Sequence, residues 1–251
     1  MEVTQSDLHA AAAAYQEFGY VCLPKFFSQT MLDKIEPVVR AFHDRWLEDN
    51  HAFYKSHAVN SSGLTADTYL NKAERQTLFT LIGCDSMTKL ASALLRRPVY
   101  MNSQLFFDPY NPHQKNYWHR DGQYHLSIEE QQAALHGPDV IHVRIPLADE
   151  PGLELVPKSH KQWDSEQALD VRLERNGRSK SDSIPGSVAL PLKRGDVLAF
   201  SANMLHRGLY GNQRFALDIL FCEPEMHSFL NDVHQPCAEI RATLECLAVF
   251  P

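Results

Sequence analysis

The sequence contains no Cys-x-x-Cys pair, and its five cysteines, at positions 22, 84, 222, 237 and 246, are odd in number. That argues against a disulfide framework and leaves reduced thiols of a cytoplasmic protein as the simplest reading. A basic surplus is also missing: 24 Lys and Arg against 31 Asp and Glu give a formal net charge of -7. A nucleic-acid partner, which requires a basic footprint, is therefore not expected. No apolar run approaches the roughly 20 residues of a membrane span. The first residues carry Asp7 and Glu17 but no basic n-region, unlike a secretory signal. No internal repeat or inter-domain linker interrupts the 251 residues. Together these absences lead us to expect one cytoplasmic domain with a small-molecule substrate, no nucleic acid and no membrane.

What is present is 44% hydrophobic and 22% charged, ample for a globular core. Residues 1–98 read as helical support. Ser6 or Asp7 is a candidate cap for a first helix that stops at Gly19, and Tyr20 to Leu23 looks like a strand. Ser28 caps a second helix in which Leu32, Ile35, Val38, Val39, Phe42 and Trp46 recur at helical spacing. Residues 50–66 read as irregular, and helical stretches follow at 67–82 and 86–95. Residues 99–222 read as short strands with turn signals, a sandwich or barrel. The strands are 99–107, 140–147, 153–156, 187–192, 197–200, 204–209 and 214–222, with a short helix from the capping box Ser127-Ile128-Glu129-Glu130. Residues 161–186 suggest a helical piece and a mobile, lid-like loop. Residues 223–251 are expected to form a helical extension.

Chemistry concentrates at Tyr117-Trp118-His119-Arg120-Asp121-Gly122. On an extended chain, residues i and i+2 point the same way, so His119 and Asp121 can offer an imidazole nitrogen and a carboxylate oxygen to one ion. His206, at the start of a late strand, is the natural third ligand. Two histidines and one carboxylate on one face leave three coordination positions open, the arrangement of non-haem iron(II) oxygenases. Eight residues on, Arg214 begins a strand whose one face is Arg214, Ala216, Asp218 and Leu220, and whose other is Phe215, Leu217, Ile219 and Phe221. The second face is core. On the first, an arginine fork either binds a carboxylate ligand bidentately or forms a structural ion pair.

In this order the residues resemble the phytanoyl-CoA dioxygenase family. The similarity runs through Phe18-Gly19-Tyr20-Val21-Cys22-Leu23-Pro24-Lys25-Phe26-Phe27, the His119 and Asp121 pair, Val156-Pro157-Lys158-Ser159-His160, Gly195-Asp196, His206 and Arg214. The resemblance implies a mainly β fold with flanking α: a double-stranded β-helix (jelly-roll, cupin-like) core with N-terminal helices packed on one sheet. It implies an iron(II)- and 2-oxoglutarate-dependent dioxygenase, with His119, Asp121 and His206 on iron and Arg214 on the distal carboxylate of 2-oxoglutarate. Dioxygen would be consumed, succinate and carbon dioxide released, and a small or medium-sized organic substrate hydroxylated. Halogenating relatives have a small residue where Asp121 stands. Three positions depart from the family pattern. Gly208 stands where a serine or threonine is common, Lys158 replaces the usual glycine of a Pro-Gly-Ser-His stretch, and the spacing from His206 to Arg214 is shorter than usual.

Further pocket candidates are the amides Asn102 and Gln104 for cosubstrate or substrate, and Trp118, Tyr117, Tyr124 and His125 around the metal motif. His142 and Arg144 lie opposite an apolar strand face. If they point inward, Arg144 could meet an anionic substrate group; if outward, it is solvated. His160 is expected to be structural. Two other readings compete: a catalytically silent β-helix protein that binds a ligand or metal, and a hydrolase with zinc in a His2Asp site.

Overall fold

The computed structural model describes residues 4–226, 230–231 and 233–251. Helix α1 (Gln5–Phe18) starts ahead of the expected caps. Thr4 is the N-cap, and Asp7 closes a capping box with it, satisfying two amides that the first turn leaves free. It stops at Gly19, whose φ of 86° lies in the left-handed region. A Cβ at Gly19 would also collide with the Met204 sulfur and the His160 ring. Gly19→Ala is therefore expected to cost about 1–3 kcal/mol through overpacking, read as a lower urea midpoint at unchanged slope.

Strand β1 (Tyr20–Leu23) leads to α2 (Gln29–Ser56), which buries Leu32, Ile35, Val39, Phe42 and Trp46, with Val38 at the half-buried edge. The helix runs on past residue 50, where irregular chain was expected. The backbone kinks at Asn50, whose side chain donates to the Trp46 carbonyl (2.9 Å), then resumes. Packing rewards the extra turn: the Tyr54 ring meets Phe107 edge-on at 5.5 Å. After β2 (Asn60–Ser62), α3 (Lys72–Ile82) begins five residues later than expected because Asn71 and Glu74 form its capping box. Helix α4 (Asp85–Leu94) completes the helical third.

The strands that follow are β3 (Val99–Phe107), β4 (Val140–Pro146), β5 (Glu150–Leu155), β6 (Val188–Leu192), β7 (Val197–Ser201), β8 (His206–Gly208) and β9 (Phe215–Cys222). They build two antiparallel sheets, one of six strands in the order β1-β7-β4-β9-β3-β2 and one of three in the order β6-β5-β8. Period-two alternation sorts the long strands. Ile141, Val143, Ile145, Leu217, Ile219 and Phe221 face the helices and share one core with Leu32, Val39 and Phe42. The opposite face looks at the smaller sheet, where Leu153, Leu155, Leu198, Phe200 and Met204 form a second cluster. The fold is a double-stranded β-helix with its helices on the outer face of the larger sheet.

Registers place two rows across this inner face. One is Phe200, His142, Leu220, Asn102; the other is Leu198, Arg144, Asp218, Gln104. Helix α5 (Ile128–Ala134) follows the Ser127 capping box as expected, and α6 (Glu166–Arg172) opens the later insertion. The loop after α6 is pinned rather than free. Trp118 donates its backbone N–H to the Lys180 carbonyl and its indole N–H to that of Asp182 (both 2.8 Å), and Ile184 is buried. Among the described C-terminal residues, α7 (Ala238–Arg241) is a single turn, and Val249 and Phe250 dock into the helical core. Residues 227–229 and 232 of the expected helical extension lie outside the described residues.

Candidate metal centre

His119 and His206 face each other in an antiparallel bridge, each backbone N–H donating to the other's carbonyl (2.9 and 3.0 Å). This sets the two imidazoles side by side, with ring centroids 4.3 Å apart. Asp121, two residues after His119, begins a 3-10 turn (Asp121–Tyr124) that swings its carboxylate under both rings. Asp121 Oδ1 lies 3.4 Å from His119 Nε2 and 3.8 Å from His206 Nε2. The ligand atoms of the three residues all fall within 4.8 Å of one another.

Each imidazole is locked by the same device. His119 Nδ1 sits 3.2 Å from the Tyr117 carbonyl and His206 Nδ1 sits 3.0 Å from that of Met204. A carbonyl only accepts, so Nδ1 carries the proton and the Nε2 lone pair faces the shared point. Burial, then the neighbouring His119, push His206 down to about 3, so its ring is neutral and ready to ligate. For Asp121, burial alone would raise the pKa. The charge of His142 and its hydrogen bond outweigh it and hold the carboxyl well below its usual range. Two imidazoles that present Nε2 and a carboxylate suit iron(II) by donor chemistry, and they would occupy one face of it. Side-chain exposures of 5% for His206 and 31% for Asp121 show that the group opens on the aspartate side.

The neighbouring chain holds this geometry. Arg120, between two of the three, points the other way and is almost fully buried. It pairs with Asp164 (3.0 and 2.7 Å) and donates to the carbonyls of Ser159, Gln162 and Asn203. Ser159 Oγ in turn accepts from the Leu205 N–H (2.8 Å), next to His206. His160 is buried beside Tyr15 and Gly19, a packing position.

From the metal group a chain of alternating charges runs down the inner face. His142 Nε2 is 2.7 Å from Asp121 Oδ2, and His142 Nδ1 is 3.2 Å from Asp218 Oδ2. Asp218 lies 4.0 Å from Arg144, which forks onto Glu150 (2.7 and 2.9 Å). Glu150 is 3.7 Å from Arg214 Nε. Burial opposes charge on His142, but the two carboxylates outweigh it and push it up to about 10. Burial, then Arg144, lower Arg214 to about 10, leaving it charged near neutrality.

This placement revises several expectations. His142 and Arg144 do point inward, yet both are consumed by protein carboxylates and are not free for a substrate. Trp118 is fully buried among Val171, Ile184 and Leu205, on the side away from the three ligands, and cannot touch a substrate. Tyr117 and Tyr124 do sit at the mouth, 5.2 and 5.9 Å from the His119 ring, and His125 is exposed. Asn102 and Gln104 are half-buried on the inner face; Asn102 Oδ1 accepts from the Ser103 N–H. Glu150 went unread, because one acid at the head of a short strand carries no pattern of its own.

Arg214 is different from Arg144. Its guanidinium makes no hydrogen bond among the described residues, its Nε is a buried orphan, and it rests over the Phe106 and Tyr210 rings. Its head lies directly against Gly208: a Cβ there would stand 2.8–3.1 Å from Nη2, Nη1 and Cζ. The arginine head thus occupies the space that a side chain at 208 would fill.

A family model for phytanoyl-CoA dioxygenase matches residues 15–210. No protein of curated function matches the chain. Among solved structures, AviO1 from Streptomyces viridochromogenes Tue57 is 19% identical with a TM-score of 0.61, covering 89% of this chain and 97% of its own. The 2-oxoglutarate-dependent epimerase SnoN from nogalamycin biosynthesis is 17% identical with a TM-score of 0.57, covering 88% and 84%. EctD from S. alaskensis, determined with 2-oxoglutarate and 5-hydroxyectoine, is 19% identical with a TM-score of 0.57, covering 84% and 74%. These likenesses place the fold. The chain belongs to the phytanoyl-CoA dioxygenase family of iron(II)- and 2-oxoglutarate-dependent oxygenases.

Proposed function

From that membership, we propose that the protein hydroxylates a small or medium-sized organic molecule, with His119, Asp121 and His206 holding iron(II) and Arg214 holding the distal carboxylate of 2-oxoglutarate. One observation carries the assignment: a buried, charged guanidinium makes no hydrogen bond among the described residues, and its nearest anion, Glu150 at 3.7 Å, is already forked by Arg144. Such a head has donors left for a second carboxylate, which matches its fork. Iron, 2-oxoglutarate and dioxygen together supply the oxidising power for attack on a substrate C–H bond. The chain's own part is to fix the ligands, orient the cosubstrate and admit the substrate on the Asp121 side. Asp121 fills the coordination position that a halogenating relative leaves open, which favours hydroxylation over halide transfer.

A separate cleft lies between residues 112–116 and 178–183, with Arg207 and Tyr210 in its lining and none of His119, Asp121 or His206. Its volume is 890 Å3 and its lining is polar, with Gln114, Lys115, Arg178 and Ser181. No helix among the described residues is long and apolar enough to cross a membrane.

Anaerobic titration with iron(II) and then 2-oxoglutarate tests the assignment. A visible charge-transfer band is expected in the wild type. Arg214→Ala should raise the 2-oxoglutarate requirement roughly ten- to a hundredfold, since a charge-assisted contact is worth about 1.5–3 kcal/mol. Iron binding without any band would move the silent-binder reading to first place. A band with an unchanged requirement in Arg214→Ala would assign the carboxylate to another residue.

A further inference from the structure

The carboxylate of Asp121 has two oxygens with two different neighbours. Oδ1 faces His119 and His206; Oδ2 faces His142 Nε2 at 2.7 Å. His142 is itself held on three sides. Asp218 Oδ2 meets its Nδ1 at 3.2 Å. Phe200 stacks on its ring, with centroids 4.7 Å apart and planes 16° apart. Strand pairing with β7 and β9 fixes its backbone at Phe200 and Leu220. Phe200 also lies 5.1 Å from the His206 ring, so one phenyl group supports both histidines. Among the described residues, nothing of this kind restrains Asp121 from the solvent side. A carboxylate at the head of a single 3-10 turn, on a short side chain, would otherwise rotate freely about its terminal torsion.

We propose that His142 is a positioning residue for the metal: it grips Oδ2 of Asp121 and thereby turns Oδ1, alone, toward His119 and His206. The role requires each ring nitrogen to donate to a carboxylate, which the geometry provides at both ends. It makes Asp121 a one-oxygen ligand and preserves the three open positions that cosubstrate and dioxygen need. Histidine partners of this kind, lying just outside a metal's own ligands, typically change affinity 10- to 100-fold. The inference rests on the reading of His119, Asp121 and His206 as ligands.

Two amides separate the two ends of the imidazole. In His142→Gln the amide nitrogen reaches roughly where Nε2 stands and can still donate to Asp121. In His142→Asn it reaches only as far as Nδ1 and can serve Asp218 alone. The measurement is anaerobic titration of metal-free protein with cobalt(II), following the visible d–d bands, with circular dichroism of each variant to check folding. We expect His142→Gln to keep affinity and band shape near wild type. His142→Asn should lose about 10- to 100-fold in affinity and show altered bands. Equal weakening in both variants, or none in either, would overturn the positioning role while His206→Ala still abolished binding. Failure of the wild type to bind cobalt(II) would overturn the ligand assignment and the positioning role with it.

Discussion

Replacing His206 by alanine is expected to remove iron binding and bring 2-oxoglutarate-driven succinate release down to background. The ring is nearly buried, its Nδ1 is committed to the Met204 carbonyl, and Nε2 is the only atom it offers to the shared point. Alanine leaves one imidazole and one carboxylate, too few to define a facial site. The loss should therefore exceed the roughly 10- to 100-fold that removal of an outer partner costs. Iron content after equilibrium dialysis and succinate yield measured on the same sample are the paired readouts. Full succinate production in the variant would mean that the metal sits elsewhere.

The second large effect is on stability. Glu150→Ala is expected to destabilise the protein by about 3–5 kcal/mol, because it strands a buried charge. Arg144 and Glu150 expose 1% and 0% of their side chains, and Glu150 is the only carboxylate within hydrogen-bonding distance of Arg144 among the described residues. Arg214 would lose its nearest anion as well. Urea unfolding reads the loss, and a double variant, Arg144→Met with Glu150→Leu, distinguishes its origin. Replacing both partners by apolar side chains should recover most of the stability, since what is costly is the uncompensated ion and not the absence of the pair. A Glu150→Ala protein as stable as wild type would show that water or Asp218 already compensates Arg144.

How far the sequence alone could be read follows from the range of the interactions involved. The alternation on β9 and β4 was visible because the period of two is local, and so were the helical face of α2 and the stop at Gly19. The candidate triad stood out because His119 and Asp121 are two apart and His206 heads a strand of its own, and the structure brings the three within 4.8 Å of one another. Lys158 is a subtler case. It stands where the family resemblance expects glycine, and its φ of 68° lies in the left-handed region that glycine favours. What could not be read is what long-range pairing decides. Whether Arg144 or Arg214 keeps a free head depends on Glu150, an acid that reaches the inner face from the other sheet. His142 looked like a pocket residue because nothing in the chain reveals that Asp121 and Asp218 close on it from opposite ends. Trp118 was misplaced for the converse reason: adjacency to a ligand in sequence places a side chain on the opposite face of an extended segment.

That opposite face has a further consequence. Trp118 hangs the 173–187 segment from the residue next to His119, through the carbonyls of Lys180 and Asp182, and Arg207 repeats the tie one residue beyond His206 by donating to Ser181 (2.8 Å). The wall of the polar cleft and two of the three candidate ligands are therefore parts of one mechanical unit. Grafting a different segment here would therefore disturb the imidazoles, and metal retention should fall with it.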